Sequence, residues 1–187
     1  MIQIKNAAEL QKMRKACAIS AAALKAGGEA IEPGITTAEI DKIIYDFIVR
    51  HGARPNFLHL YGFPATACIS VNDTVIHGIP NKQQQIRPGD IVSIDTGCKI
   101  DGFNGDNACT YACGKIDLEA QRLLDVTKES LHRGIEMACG GNRVGDIGHA
   151  VQSYVEENGF SVVRTFVGHG VGKELHEDPE VPNFGNA

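Results

Sequence analysis

Two aspartates stand inside segments that otherwise have the composition of apolar β-strands. Asp95 lies within residues 91–98 and Asp106 within residues 103–113, and both segments are rich in Ile, Val, Thr, Tyr and Phe. Two carboxylates that converge in a poorly solvated site repel each other, so one of them keeps its proton unless a cation neutralises the pair. Carboxylate oxygens bind hard and borderline divalent cations. The chemistry that these two residues suggest is therefore metal binding.

The residues between the aspartates predict a β-hairpin. Asp101-Gly102 is a dipeptide typical of a two-residue hairpin turn. With such a turn Asp95 faces Ala108 and the aspartates are diagonal neighbours, whereas a four-residue loop makes Asp95 face Asp106 directly. Either loop puts both carboxylates on one face, with backbone separations of about 5 to 8 Å. An odd loop or a bulge would separate them, and a placement of both acids in solvated turns is the other alternative.

Three of the seven histidines stand among glycines, which allow a ligand to approach the backbone closely. His77 lies in "VIHGIP", and His169 and His176 lie in "VGHGVGKELHE". A neutral imidazole is a good ligand for borderline metals, and a second imidazole can donate to a developing oxyanion. Each of the three, taken singly, could also be a loop residue without a function. His59 stays undecided, and no role is assigned to the histidines at helical positions, which are His51, His132 and His149.

Composition predicts one globular domain and excludes several classes of partner. The chain has 187 residues, of which 43% are hydrophobic and 22% are charged, and its formal net charge is -5. Because the lysines are scattered, no basic stripe indicates nucleic acid or an anionic membrane as a partner. The amino terminus lacks the apolar segment of a secretory signal, which favours a cytoplasmic protein. The six cysteines are therefore expected to be reduced, buried, small hydrophobic residues.

Hydrophobic spacing predicts helices followed by strands. A first amphipathic helix contains Leu10 and Leu24 and is expected to end at Gly27-Gly28. A capping box at Thr36 to Glu39 predicts the start of a second helix, which should end at Gly52. A strand at about 66–71 and a long helix from 117 to about 139 are predicted next.

A shift of 107 positions matches much of the second half with the first, for example Leu24 with Leu131 and Gly52 with Gly159. We interpret this as an internal duplication of a helix-helix-strand unit, with a first half at about 1–115 and a partial second half at about 116–187. Generic amphipathic helices could produce part of the match by chance. The second copy should reach its own hairpin at about positions 198 to 220, so the single domain is expected to be truncated.

Three motifs together resemble those of the type I methionine aminopeptidases, in the short form without an amino-terminal extension. They are "VNDTVIHGIP", "IDTGCKIDGFNGD" and "VGHGVGKELHEDPEVPNFG", and the resemblance covers essentially all 187 residues in order. It implies the α+β pita-bread fold, in which two pseudo-symmetric halves surround a curved antiparallel sheet. This expectation fits the duplication.

The resemblance also implies a dinuclear metal centre with two aspartate, one histidine and two glutamate ligands. Asp95 would bind one ion, Asp106 would bridge both and His169 would supply the imidazole. Both glutamates are expected beyond position 187, so this chain could be inactive. Cobalt, manganese, iron and zinc all suit such ligands, and the sequence does not distinguish between them.

The implied reaction is hydrolysis of the first peptide bond, which removes the initiator methionine from nascent polypeptides. His77 would hold the substrate beyond the scissile bond, and His176 would donate to the carbonyl oxygen. By position, the candidates for an apolar methionine pocket are Phe57, Leu60, Phe63, Cys68 and Leu175, although Leu60 stands where an aromatic residue is expected. The expected enzyme is monomeric when complete, and ribosome association is a further possibility.

Two other functions remain as alternatives. An X-Pro aminopeptidase or prolidase-like peptidase shares the fold and the metal motif but usually has a further amino-terminal domain. A non-catalytic peptide- or protein-binding module on the same fold would lack the metal ligands. Asp95, Asp106 and His169 are all present, which argues against the second alternative.

Overall fold

A computed structural model describes all of residues 1–187 as an α+β chain with four α-helices and six β-strands. The helices are α1 (Ala7–Glu29), α2 (Thr37–Arg50), α3 (Leu118–Met137) and α4 (Val144–Glu157). The strands are β1 (Arg54–Pro55), β2 (Ala67–Val71), β3 (Ile91–Ile100), β4 (Phe103–Ala112), β5 (Gly168–Gly170) and β6 (Glu177–Val181). None of the four helices is long and apolar enough to span a bilayer.

The chain divides into two compact units. The first unit consists of Ile4–Ile116 and Val171–Leu175, and the second of Met1–Gln3, Asp117–Gly170 and His176–Ala187. The short segment Val171–Leu175 therefore belongs to the first unit, although β5 before it and β6 after it belong to the second.

The first unit is an antiparallel sheet covered by two capped helices. β3 pairs with β1 and β2 along one edge and with β4 along the other. The predicted capping box of α2 is confirmed, because the Glu39 backbone N–H donates to Thr36 Oγ1 at 3.2 Å and the Thr36 N–H donates to Glu39 at 2.9 Å. Fourteen buried residues of α1, α2, the strands and their connections form the core, with Ile40, Ile44, Val92 and Ile94 fully buried.

The predicted end of α1 at Gly27-Gly28 is wrong. Both glycines are buried within the last turns of the helix, which continues to Glu29. A β-carbon at Gly27 would lie 2.7 Å from the Ile44 side chain, and one at Gly28 would lie 2.1 Å from the Tyr111 ring. These glycines therefore allow close packing of α1 rather than end it.

The second unit repeats the helix pair with a smaller core. The bounds of α4 lie 107 positions after those of α2, as the proposed duplication predicts. The glycines before the two helices also correspond, with φ of 97° at Gly34 and 101° at Gly141. Only Val126, Val151 and Val155 form the buried cluster between α3 and α4. Antiparallel β5 and β6 complete this unit.

The prediction for the cysteines is partly wrong. All six are free thiols, but Cys109 and Cys139 are exposed rather than buried. Cys109 lies on the part of β4 where the strand becomes exposed, and Cys139 lies in the loop after α3.

Candidate metal centre

The β3–β4 hairpin brings the two aspartates to one face of the sheet. Its turn is Asp101-Gly102, with φ of 52° and 83°, as expected for a two-residue hairpin turn. Asp95 pairs with Ala108 and Asp106 pairs with Gly97, so the aspartates are diagonal neighbours. The two-residue turn is thus confirmed, and the four-residue alternative and a bulge between the aspartates are wrong.

The Asp95 carboxyl group is costly to ionise where it lies. Burial raises its pKa to about 7, and the negative charge of Asp106 and a hydrogen bond with that carboxyl group act in the same direction. Asp95 therefore does not lie in a solvated turn. A carboxyl pair in which one member resists ionisation fits a divalent cation, because the cation would stabilise both charges.

An apolar cluster lies next to this pair in the first unit. Cys68 of β2 pairs directly with Asp95 of β3, and alternation along paired strands puts both side chains on one face. Burial, followed by the charges of Asp95 and Asp106, raises the pKa of the Cys68 thiol to about 12. The cluster consists of the five residues predicted for the methionine pocket: Phe57, Cys68 and Leu175 are buried, and Leu60 and Phe63 pack against them.

Two of the predicted histidines meet in the second unit. The rings of His169 on β5 and His176, just before β6, lie edge to face with 4.5 Å between their centroids. His169 Nδ1 is 2.9 Å from the Gly170 carbonyl oxygen, and a hydrogen bond donated there puts the imidazole lone pair on Nε2. A backbone bond that fixes the tautomer is typical of metal-ligating histidines.

The remaining histidines lie in different surroundings. His77 is exposed in the loop after β2, with a φ of 55°. His51 stacks on Phe47 near the end of α2, and His149 of α4 approaches the Gly185 carbonyl, so both have local packing roles. The structure contains no group of three or more His, Cys, Asp or Glu side chains that could hold a metal ion. Of the predicted ligands, Asp95 and Asp106 belong to the first unit and His169 belongs to the second.

Comparison with known proteins identifies the family. The model of metallopeptidase family M24 matches residues 11–187. The methionine aminopeptidase of Clostridium perfringens is 54% identical over 185 residues, which are 99% of this chain and 74% of that protein. This chain belongs to the methionine aminopeptidases. It is therefore a member of a metallo-aminopeptidase family, which employs metal ions for hydrolysis, and the resemblance seen in its three motifs is confirmed.

Solved structures confirm the pita-bread fold. The crystal structure of methionine aminopeptidase from Rickettsia prowazekii has a TM-score of 0.97 and 38% identity, and the match covers all of this chain and 75% of that one. Prolidase from Pyrococcus furiosus has a TM-score of 0.84 but only 23% identity, over 98% of this chain and 53% of that one. The second likeness shows a shared fold alone, so the X-Pro alternative has no support beyond the architecture.

One polar residue near the two aspartates is not among the predicted site residues. Asn104 lies two positions before Asp106 on β4, and its side chain bonds to a backbone carbonyl 68 positions away. No local pattern predicts a contact at that separation, although its place within "GFNGD" is a reason to consider it.

Proposed function

We propose that this chain carries the metal site and the methionine pocket of an enzyme that removes the initiator methionine from nascent polypeptides. The observation that supports this most directly is the half-buried carboxyl pair of Asp95 and Asp106. Asp95 has a pKa raised to about 7 by burial and by its neighbour Asp106. Directly across the ladder, Cys68 belongs to an apolar cluster that offers suitable walls for a methionine side chain.

Three residues would hold divalent ions. Asp95 would bind one ion and Asp106 would bridge two, while His169 would offer Nε2, the nitrogen that a bonded Nδ1 leaves with the lone pair. When bound, the ions supply hydroxide from water near neutral pH and polarise the peptide carbonyl. Cobalt, manganese, iron and zinc all accept this mixture of oxygen and nitrogen ligands.

The other two histidines would act on the substrate. His176 is held against the His169 ring, and we expect it to donate to the oxygen of the scissile carbonyl. His77 would hold the substrate beyond that bond. Its positive φ means that the backbone there adopts a conformation that costs energy, as is common at functional sites.

The apolar cluster would bind the methionine side chain. Phe57, Cys68 and Leu175 are buried and form its floor, and the partly exposed Leu60 and Phe63 would close over the thioether. A pocket of apolar walls with few polar groups suits an unbranched, polarisable side chain. Leu60 in place of an aromatic residue would leave the pocket with less aromatic surface for the sulfur atom.

The resemblance implies two glutamate ligands at positions after 187, one of which would also transfer protons. General acid-base assistance of this kind is worth roughly 10² to 10⁴ in rate. The contribution of residues 1–187 to turnover would come from the three ligands and the histidines described above. The substrate would be polypeptides that begin with Met followed by a small residue. The cytoplasm is the compartment we expect, because nascent chains emerge there, with ribosome association and a monomeric complete enzyme as further expectations.

Cobalt binding tests the metal site in the chain as it exists. Titration followed by visible absorption should give a cobalt complex whose affinity falls at least about tenfold in the Asp106→Asn and His169→Ala variants. The Asp101→Asn variant is the matched control, because Asp101 lies in the same hairpin but pairs with Lys15 at the surface. Equal cobalt affinity in all four proteins would mean that these residues are not the ligands.

Peptide hydrolysis tests the reaction. With added cobalt or manganese, release of methionine from Met-Ala-Ser but no cleavage of an X-Pro peptide is expected. Cleavage of the X-Pro peptide instead would favour the prolidase-like alternative. Peptide binding that is indifferent to metal, with no turnover, would favour a binding module.

A further inference from the structure

The segment Val171–Leu175 connects the two histidines and is fixed to the first unit. His169 and His176 flank it and lie in the second unit. At its far end Leu175 is buried against Phe57 and Cys68, and at its middle the Lys173 ammonium pairs with Glu9 at 3.1 Å. These contacts of the segment with the first unit therefore restrict where its two ends can lie.

Asn104 holds this segment with three hydrogen bonds. Its backbone N–H donates to the Gly172 carbonyl at 2.8 Å. Its side-chain Nδ2 donates to the same carbonyl at 3.0 Å and to the Lys173 carbonyl at 2.9 Å. The residue is 2% exposed, so these bonds form away from competing water.

Only an amide has the donors and the acceptor that this position requires. The two N–H groups of the Asn104 side chain point at successive carbonyls, and its Oδ1 accepts from Asn56 Nδ2 at 3.3 Å. Gly97 makes room for Asn56, because a β-carbon at Gly97 would lie 2.5 Å from Asn56 Oδ1. A carboxylate at position 104 would place its oxygens against two carbonyl oxygens and repel the segment.

The anchor lies on the strand that carries the bridging aspartate. Asn104 and Asp106 are two positions apart on β4, so their side chains leave the strand on the same face. His169 is three residues before Gly172, and His176 is three residues after Lys173. Three residues reach at most about 11 Å, so holding the two carbonyls limits where both imidazoles can be.

We propose that Asn104 is a positioning residue, which fixes segment 171–175 and thereby the two imidazoles that flank it. This rests on the function proposed above, in which His169 binds metal and His176 contacts substrate. Asn56 and Gly97 support the anchor by orienting the Asn104 amide.

The variant Asn104→Asp tests the proposal without leaving a cavity, because the two side chains have the same shape. It removes both side-chain donors and adds a negative charge on the face of Asp106. That charge would by itself favour a cation, so a loss of metal affinity could not be an effect of charge. The matched control is Thr37→Val, since Thr37 is also buried and makes two bonds to a loop backbone, at Asn81, but none to the segment.

Three measurements at fixed pH decide the outcome. In the metal-free protein, nuclear magnetic resonance should show backbone order parameters of residues 171–175 falling from about 0.85 towards 0.6 in the Asn104→Asp variant. The imidazole resonances of His169 and His176 should shift. Cobalt affinity should fall at least about tenfold. The Thr37→Val variant should match the parent protein in all three.

Unchanged imidazole resonances and cobalt affinity in the Asn104→Asp variant would overturn the proposal. If that variant does not fold, Asn56→Ala, which removes only the support of the amide, is measured in the same way and the same criteria apply. The His169→Ala variant separates the role of His169 as a metal ligand from the role of Asn104 in positioning the histidines. If it binds cobalt as the parent does, the ligand assignment fails, while the metal-free resonances still decide whether Asn104 positions the histidines.

Discussion

The proximity of the Asp95 and Asp106 carboxyl groups costs the folded protein stability. A half-buried carboxyl pair without a counter-ion raises the free energy of the folded state, because one member must stay protonated or the two charges must repel each other. Asp101, in the turn of the same hairpin, has a side chain that is 46% exposed and pairs with Lys15. At Asp95, burial within the strand is the largest cause of the raised pKa, followed by the charge of Asp106.

The first prediction concerns the pH dependence of stability in the metal-free protein. The folded state raises the pKa of Asp95 from 3.8 to about 7, so between these pH values the folded protein binds more protons than the unfolded chain. Its free energy of unfolding should therefore fall as pH rises through this range and level off above it. Urea unfolding with a chelator at pH 5 and pH 8 should show a loss of roughly 2 to 4 kcal/mol due to this group.

The Asp95→Asn variant should lose that part of the pH dependence, and Asp101→Asn should keep it. Added manganese should stabilise the parent protein more at pH 8 than at pH 5, because the deprotonated pair is the form that binds. A parent protein as pH-dependent as its Asp95→Asn variant would show that the pair does not share a proton.

The second prediction concerns the reactivity of the thiols. Burial raises the pKa of Cys68 to about 12 and that of Cys98 to about 11, so neither is a thiolate at pH 8. Cys109 and Cys139 are exposed. Iodoacetamide at pH 8, followed by mass spectrometry, should label the two exposed cysteines first and Cys68 and Cys98 only after unfolding. Early labelling of Cys68 would indicate that the apolar cluster opens readily.

For helices and strands, short-range sequence patterns correctly predict the hairpin register and the start of α2. The Asp101-Gly102 turn determines the register of the whole hairpin, and the capping box determines where α2 begins. Both signals depend on residues no more than three positions apart. The function of Gly27 and Gly28 depends instead on residues that are distant in sequence, because these glycines pack against Ile44 and Tyr111. A local pattern therefore predicts a helix end there incorrectly.

The third prediction follows from that contact. The variant Gly28→Ala should destabilise the protein by about 1 to 3 kcal/mol, because its β-carbon would lie 2.1 Å from the Tyr111 ring and overpack the interface. Helix propensity alone predicts the opposite, a gain of up to about 1 kcal/mol. Thermal or urea unfolding distinguishes the two signs.

The control for this experiment is Gly140→Ala, since a β-carbon added at Gly140 would have nothing within 4 Å. It should change stability by no more than about 0.5 kcal/mol. Combining Gly28→Ala with Tyr111→Ala should remove most of the cost of the added methyl group. A Gly28→Ala variant as stable as the parent would mean that the helix can shift away from β4.

For the molecule as a whole, the 107-residue shift predicts two equivalent helices, whereas the division into two units depends on contacts that no sequence pattern indicates. The spacing of Gly34 to Gly52 recurs at Gly141 to Gly159 and bounds equivalent helices. The aspartates and the apolar cluster were predicted because hairpin register and motif resemblance place them. The sequence does not predict the position of segment 171–175. Its assignment to the first unit depends on contacts of Asn104 and Leu175 with residues far away in sequence.

The fourth prediction is that the two units differ in local stability. Fourteen buried residues form the main core of the first unit, whereas three valines form that of the second. On α3, Leu131 and Ile135 are each 58% exposed, so much of the apolar surface of this helix stabilises nothing within its own unit. Native-state hydrogen exchange should therefore show that α3 and α4 open at lower free energy than β3 and β4, by at least about 2 kcal/mol.

The Val151→Ala variant should increase this difference in opening free energy. It truncates one of the three buried valines and should lower protection in α3 and α4 by about 1 to 3 kcal/mol while β3 and β4 keep theirs. Ile44→Ala, the counterpart of this variant under the 107-residue shift, should lower protection in the sheet. If Val151→Ala reduces protection equally in all four elements, the two units unfold as one, and the small valine core is sufficient only because the larger one supports it.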